Sequence, residues 1–399
     1  MRRRSVSGFG PAATRRRPPP ESVRVLVVNA GSSSLKLALL GDDDETLGEH
    51  ELAAPAAVID ERELLAALDG GLGAADVIGH RIVHGGERFR AAVRIDGDVE
   101  AALRELVDLA PLHQPKSLAA LDAVSTALPD VPAVACFDTA FHATLPPAAK
   151  TYALPAAWCE RYGIRRYGFH GLSHAWVARR APELVDRPAK APRVVSAHLG
   201  AGASLCAIAD GRSVDTTMGF TPLEGLVMAT RSGSIDPGLL LWLLEHETMS
   251  ERELADALEH RSGLLGIAGT ADMREILARA EDGNPAAQLA LEVYLHHLRA
   301  GVAAMAAALG GIDALVFTGG VGQRSPRVRE LAVEGLDFLG LTIDVQRNRT
   351  TQGDADVSRP GADAKTLVIV AREDLEIARQ VRAALGAHDG RPLDHGDAD

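Results

Sequence analysis

The stretch VLVVNAGSSSLKLAL (residues 25–39) constrains the fold most, because a similar one, VVSAHLGAGASLCAI (residues 194–208), returns 169 residues later. Each reads as a β-branched run, a turn of small residues opening at Gly31 or Gly200, and a second alternating run: a strand, a tight turn and a returning strand. Small residues at a tip leave backbone N–H groups uncovered, so a phosphate can come close and collect several hydrogen bonds. Either hairpin alone also fits an ordinary small-residue turn. The repetition, and a third Gly-rich turn after a strand at LVFTGGVGQRSP (residues 315–326), favour phosphate. Two such tips facing each other would grip a polyphosphate from both sides.

At 399 residues the chain is long enough for two domains, and 46% hydrophobic content supplies their cores. No run of 18 apolar residues occurs, which gives no membrane-spanning segment. Aromatics at 4% and a net charge of −12 argue against a base-stacking nucleic-acid surface. Residues 1–22 begin with six arginines and no acid in the first 20, and lack the apolar core of a secretory signal. They read as a disordered basic leader, and residues 388–399 as a disordered tail. Cys136, Cys159 and Cys206 lie far apart without a C-x-x-C pair, the pattern of a reducing cytoplasm rather than of disulfides or zinc.

Several polar residues fall where buried runs end. Arg81 follows the strand in DVIGHRIVHGGERF, the end at which open α/β sheets bind ligands, although a surface arginine is often only a solvated charge. Asp138 follows VPAVACF and suits either a metal or catalytic carboxylate or the cap of the next helix. In RRYGFHGLSH, His170 suits phosphoryl contact and His174 a buried structural hydrogen bond. Arg231 closes a long Gly/Thr/Pro-rich loop (residues 211–238), after which 237–245 begins a buried helix. Residues 262–271 read as a Gly-punctuated loop entering a helix at Asp272, and 285–309 as a long helix with a core stripe of Leu289, Tyr294, Leu298 and Met305. These elements predict two α/β domains with a ligand cleft between them.

NAGSSSLK, GHRIVHGGERF, APLH, FDTAFH, RRYGFHG, SVDTTMGFTPLEGL, RSGSIDP and FTGGVG occur in this order, and the chain thereby resembles the acetate kinase family over about residues 23–387. The resemblance implies two duplicated actin-like ATPase domains, ribonuclease H-like, with the active site in the interdomain cleft. The expected boundaries are 23–142 plus a C-terminal helix at 374–387 for one domain and 143–373 for the other. It implies ATP, a short carboxylate, Mg²⁺ with Mn²⁺ as the alternative, a cytoplasmic homodimer, and no nucleic-acid or membrane partner. By motif, Arg81 and Arg231 hold the carboxylate and the transferring phosphoryl group, His170 donates to it, and Asp138 is the essential acid. Ser32, Ser34 and Lys36 match the first phosphate turn, and His198, Leu199, Gly200, Ala201 and Gly202 the second. Gly320, Val321, Gly322 and Gln323 match the third, and Asp272, Met273 and Arg274 the adenosine side. Asn29 and Glu373 match the metal site, and Val83, Leu112 and Pro222 the acyl pocket.

Departures from the family pattern are Ala201 for Asn, Gln323-Arg324 for Glu-Asn, Leu172 for Thr, Gln114 for Asn and Ala229 for Gly. Losing the Asn amide removes a phosphate donor, on the order of 1 to 3 kcal/mol. That motivates a second reading, a non-catalytic nucleotide-binding regulator on the same fold, against which stand the retained Arg81, Asp138, His170, Arg231 and Glu373. Among kinases, acetate leads and propionate follows, since one methylene is worth only about 1 to 3 kcal/mol.

Overall fold

A computed structural model describes residues 23–31, 34–54, 59–109, 114–185 and 191–388. The expected leader, most of the expected tail, Ser32 and Leu112 lie outside the described residues.

The first half contributes β1 (Val25–Ala30), β2 (Ser34–Leu40), β3 (Thr46–Ala53), β4 (Val77–Ile82), β5 (Val93–Arg94) and β6 (Ala133–Phe137). The second contributes β7 (Val194–Leu199), β8 (Ala203–Ala209), β9 (Arg212–Thr216), β10 (Ala314–Thr318), β11 (Ala355–Asp356) and β12 (Lys365–Val368). The sheets run β3-β2-β1-β4-β6-β5 and β9-β8-β7-β10-β12-β11, the same order strand for strand. In each, three antiparallel strands precede two parallel additions, and a short antiparallel strand closes the edge. The repeated sequence stretch is therefore a repeated β1-β2 or β7-β8 hairpin, each with its small-residue tip at the end of a central strand.

Two helices fill the space between the sheets. The helix Glu373–His388 buries Ile377, Ala378 and Val381 against Val25, Val77 and Val134 of the first sheet, although it is the last element among the described residues. Gly79 makes this docking possible, because a Cβ there would sit 2.7 Å from methyls of both Ile377 and Val381. Full burial of each such side chain contributes about 1.5–3 kcal/mol. The helix Gly171–Leu184 packs Val177 and Ala181 on Val194, Val316 and Leu367 of the second sheet. The two helices are tied by Arg179 Nε–Glu376 Oε2 at 3.1 Å, with Glu376 fully buried. On the outer face of the second sheet, the helix Pro285–Ala308 buries Leu298, Val302 and Met305.

Some local expectations are corrected. Arg81 lies inside β4 rather than after it, because the parallel ladder to β6 continues to Ile82↔Phe137. The third Gly-rich turn is a one-and-a-half-turn helix, Gly319–Arg324, which Gly319 enters at φ 76°. Residues 263–268 form a short helix before Asp272, whose carboxylate caps Met273–Glu281 by accepting from Arg274 N. Leu289 is 53% exposed, on the outer side of its helix and away from the stripe. The helix Pro237–His246 is not buried: Leu239, Leu241 and Trp242 face solvent.

Candidate active site

The carboxyl ends of β1, β4, β6 and β7 converge between the sheets, which brings Asn29, Arg81, Asp138 and His198 to one cleft. A cavity of about 560 Å³ there is lined by Arg81, Val83, Asp138, His170, Pro222 and Arg231, with His198, Ala201, Gly202 and Glu373 completing the wall. A second cavity, about 690 Å³, is lined by Asn29, Lys36, Gly320, Gln323 and Arg324. His198 and Glu373 border both, so the cavities meet at these two side chains.

Arg81 organises the first wall. Its Nη2 donates to Asp138 Oδ2 at 2.7 Å, its Nε contacts both carboxylate oxygens at 3.2 and 3.3 Å, and its Nη1 donates to Asn29 Oδ1 at 3.0 Å. Asn29 Nδ2 in turn donates to Glu373 Oε2 at 2.9 Å. Burial works against the Arg81 charge, but Asp138 and Glu373 outweigh it and raise its pKa further. Burial pushes the Asp138 carboxyl up, against the guanidinium that draws it down. With its oxygens occupied by Arg81, Asp138 orients the guanidinium. For Glu373, burial raises the carboxyl and is outweighed by Arg81, His198, the Asn29 amide and Lys36, leaving it below the usual carboxylate range and ionised.

Arg231 enters from the second half. Its Nε lies 2.8 Å from Glu259 Oε2, and Glu259 is buried at the end of the helix Glu251–His260. Each cleft arginine is thus backed by a buried carboxylate from its own half.

His170 precedes Gly171 in the left-handed region, at φ 55°. That uncommon conformation persists because Gly171 N donates to Asp138 O at 2.9 Å, and a Cβ at Gly171 would lie 2.0 Å from the same oxygen. The backbone carrying the acid therefore also sets the histidine. His170 Nδ1 pairs with Ser204 Oγ at 2.9 Å, His198 Nδ1 with Ser173 Oγ at 2.8 Å, and the two rings stack with centroids 4.4 Å apart. Burial first, then neighbouring imidazoles and arginines, holds His170 well below the usual histidine range, so the ring is neutral. A Cβ on Gly202 would meet His170 Nε2 at 3.2 Å and Arg231 Nη1 at 3.5 Å, and one on Gly200 would meet His198 Nε2 at 3.8 Å and Gly320 N at 3.9 Å. Both glycines keep open the space these groups face.

The remaining expected residues divide. Lys36 lines the second cavity 4.0 Å from Glu51, and Ser34 Oγ donates to Glu51 at 2.6 Å. Leu199 is fully buried in the core, and Gly322 and Val321 pack in the helix behind Gly320, which leaves their side chains out of both cavities. Asp272, Met273 and Arg274 are not brought to either cavity: Met273 is in the core, and Arg274 is exposed and paired with Asp272 at 2.6 Å. Among the departures, Gln323 Oε1 accepts from Ala371 N at 3.1 Å, and Gln114 bridges His84 N and O at 3.1 and 3.3 Å. Leu172 packs in the cluster that holds the closing helix. The sequence reading missed Glu259, which sits in an otherwise ordinary amphipathic helix, and Ser204, which strand alternation alone does not distinguish.

A family model for the acetokinase family matches residues 64–379. The chain belongs to that family. It is 41% identical over 391 residues to an acetate kinase of Acetivibrio thermocellus, covering 90% of this chain and 98% of the relative. Its structure is similar to that of Porphyromonas gingivalis acetate kinase, with TM-score 0.82, 35% identity, and 91% and 100% of the two chains covered. It is equally similar to a propionate kinase of Francisella tularensis, with TM-score 0.83, 35% identity, and 90% and 98% covered. The two-sheet duplication is therefore the family fold, and membership makes the chain a kinase.

Proposed function

We propose that the chain is an acetate kinase, moving the γ-phosphoryl group of ATP reversibly onto acetate with Mg²⁺ to give acetyl phosphate and ADP. The observation that carries this reading is the meeting of Arg81 and Arg231, each backed by a buried carboxylate, with neutral His170 in one cavity. A short fatty acid has a pKa of roughly 4 to 5, so at pH 7 it is already an anionic nucleophile and needs no general base. One carboxylate oxygen attacks the γ-phosphorus as the bond to the β-phosphate oxygen breaks, and ADP leaves with that oxygen. What opposes the step is repulsion between two anions, and the two guanidinium groups offset it. His170 Nε2, facing the same space as Arg231 Nη1, donates to a phosphoryl oxygen. Val83 and Pro222 give the cavity its apolar side for the methyl group.

Among the described residues no three His, Cys, Asp or Glu side chains cluster to hold a metal. Mg²⁺ fits such a site, because it commonly takes one or two carboxylates and completes its shell with phosphate oxygens and water. Ionised Glu373, hydrogen-bonded to Asn29 where the cavities meet, would hold it, and the ion would neutralise phosphate charge. Gly320, at the start of its short helix, lines the second cavity, where the donor would lie, and Gly31 lines the first. The division into residues 23–142 with 374–387, and 143–373, is supported by the closing helix packing on the first sheet. A homodimer, supported by the apolar surface of Pro237–His246, and a place in the cytoplasm complete the reading.

Hydroxylamine trapping tests it. Acetate with ATP and Mg²⁺ should give acetohydroxamate, with propionate and butyrate ranked beside it. No hydroxamate from any acid with ATP or pyrophosphate would leave the regulator reading in its place.

A further inference from the structure

Behind His170 lies a row of buried polar side chains that the proposed reaction does not itself use. Ser204 Oγ is 2.9 Å from both His170 Nδ1 and His174 Nε2, and His174 Nδ1 is 2.9 Å from Ser196 Oγ. Ser196, Ser204 and His174 are each fully buried. A serine has one hydroxyl proton, so Ser204 can donate to only one of the two imidazoles and must accept from the other. The tautomers of His170 and His174 are therefore coupled.

Two directions satisfy Ser204. In one, His170 Nδ1–H donates to Ser204, Ser204 to His174 Nε2, and His174 Nδ1–H to Ser196. The proton of the Ser196 hydroxyl is then left buried, because among the described residues His174 is its hydrogen-bond partner, and an unpaired buried donor costs about 1 to 3 kcal/mol. In the other, Ser196 donates to His174 Nδ1, His174 Nε2–H to Ser204, and Ser204 to His170 Nδ1. Every proton within the buried row then has an acceptor, and the remaining one, on His170 Nε2, points at the cleft beside Gly202 and Arg231.

We infer that Ser196, His174 and Ser204 form a directional hydrogen-bond relay that holds His170 as the Nε2–H tautomer, the form that donates into the cleft. Its catalytic consequence rests on the carboxylate-kinase reading, while the tautomer itself does not. Ser204 and His174 are positioning residues, acting through His170. The reverse direction would present a lone pair to a phosphoryl oxygen.

The test is a long-range proton–nitrogen NMR spectrum of the full chain with ¹⁵N-histidine, the His170 signals assigned by their loss in His170→Gln. At pH 7.5, His170 and His174 should both show a protonated Nε2 and an unprotonated Nδ1. A protonated Nδ1 on His170 overturns the relay, with no variant needed. In kinetics, His174→Gln keeps a donor toward Ser204 and an acceptor toward Ser196, whereas His174→Phe keeps neither. His174→Phe should lower kcat by about 10²-fold or more, the scale of losing one transition-state donor, with the KM values for acetate and ATP near wild type, and His174→Gln should recover most of it. Equal kcat in wild type and His174→Phe would also overturn the relay. A wild-type chain that makes no acyl phosphate but shows the expected tautomers sinks the kinase reading and leaves the relay standing.

Discussion

Arg231 Nε lies 2.8 Å from Glu259 Oε2, across the cleft from Arg81, whose Nη2 is 2.7 Å from Asp138 Oδ2. A guanidinium facing an anionic substrate must keep its direction while its charge is drawn upon, and a buried carboxylate behind it fixes the planar fork. Arg231→Leu should lower turnover by about 10³-fold or more, the scale of losing an arginine finger. Glu259→Ala should lower kcat by up to about 10²-fold, the cost of letting a catalytic group shift by about an ångström. If Glu259 works through Arg231, Glu259→Ala adds nothing in the Arg231→Leu background. Additive losses in that cycle would reject the role.

Gly202 makes a more local test. Its missing side chain leaves the space shared by His170 Nε2 and Arg231 Nη1, with contacts of 3.2 and 3.5 Å to a Cβ placed there. Gly202→Ala should leave the thermal midpoint nearly unchanged and lower kcat by about 10²-fold, the cost of displacing catalytic groups by about an ångström. Gly211, with φ 73° and open space around its Cβ position, serves as the comparison, where alanine strains the backbone and leaves turnover alone.

The two hairpins and the strand ends carrying Asn29, Arg81, Asp138 and His198 were legible because a period of two and small-residue tips are local signals. Glu259 was not, since what makes it functional is its distance to a residue 28 positions earlier, which no periodicity encodes. The helix Gly319–Arg324 was missed because glycine-rich sequence suggests a turn, whereas here the strand β10 and the helix Pro326–Val333 impose the conformation on both sides. The exposure of Pro237–His246 misled for the opposite reason: apolar residues announce burial, and in this chain nothing packs over Leu239, Leu241 and Trp242 enough to bury them.

That helix gives a third prediction. Leu241 and Trp242 are 64% and 50% exposed, and neighbouring Leu239 widens the apolar surface. If a second copy covers it, Leu241→Asp with Trp242→Arg should halve the mass seen by sedimentation equilibrium while the circular dichroism stays native. A wild-type chain that sediments as a monomer removes the homodimer from the proposal.

Acid stability follows from the histidines outside the relay. Burial lowers His80 to about 3, His84 to about 4 and His142, despite its bond to Phe169 O, to about 4. Unfolding restores each to an ordinary value near 6.5. Between the folded and unfolded values the unfolded chain binds more protons, so stability rises with pH there and is complete above about 6.5. At pH 5 each of the three costs about 2 kcal/mol, at 1.36 kcal/mol per unit of pH below 6.5. The carboxylate Glu373, held low, contributes in the same sense but only as pH falls below its ordinary range. The urea midpoint should therefore drop steeply from pH 7.5 to pH 5, well before carboxylates protonate. His142→Gln, which retains a donor and an acceptor for Ser213 and Phe169, should flatten that slope by the share of one buried histidine, about 2 kcal/mol at pH 5. A midpoint that is level between pH 7.5 and 5 would mean these imidazoles take up protons in the folded chain, and so are not sealed from water.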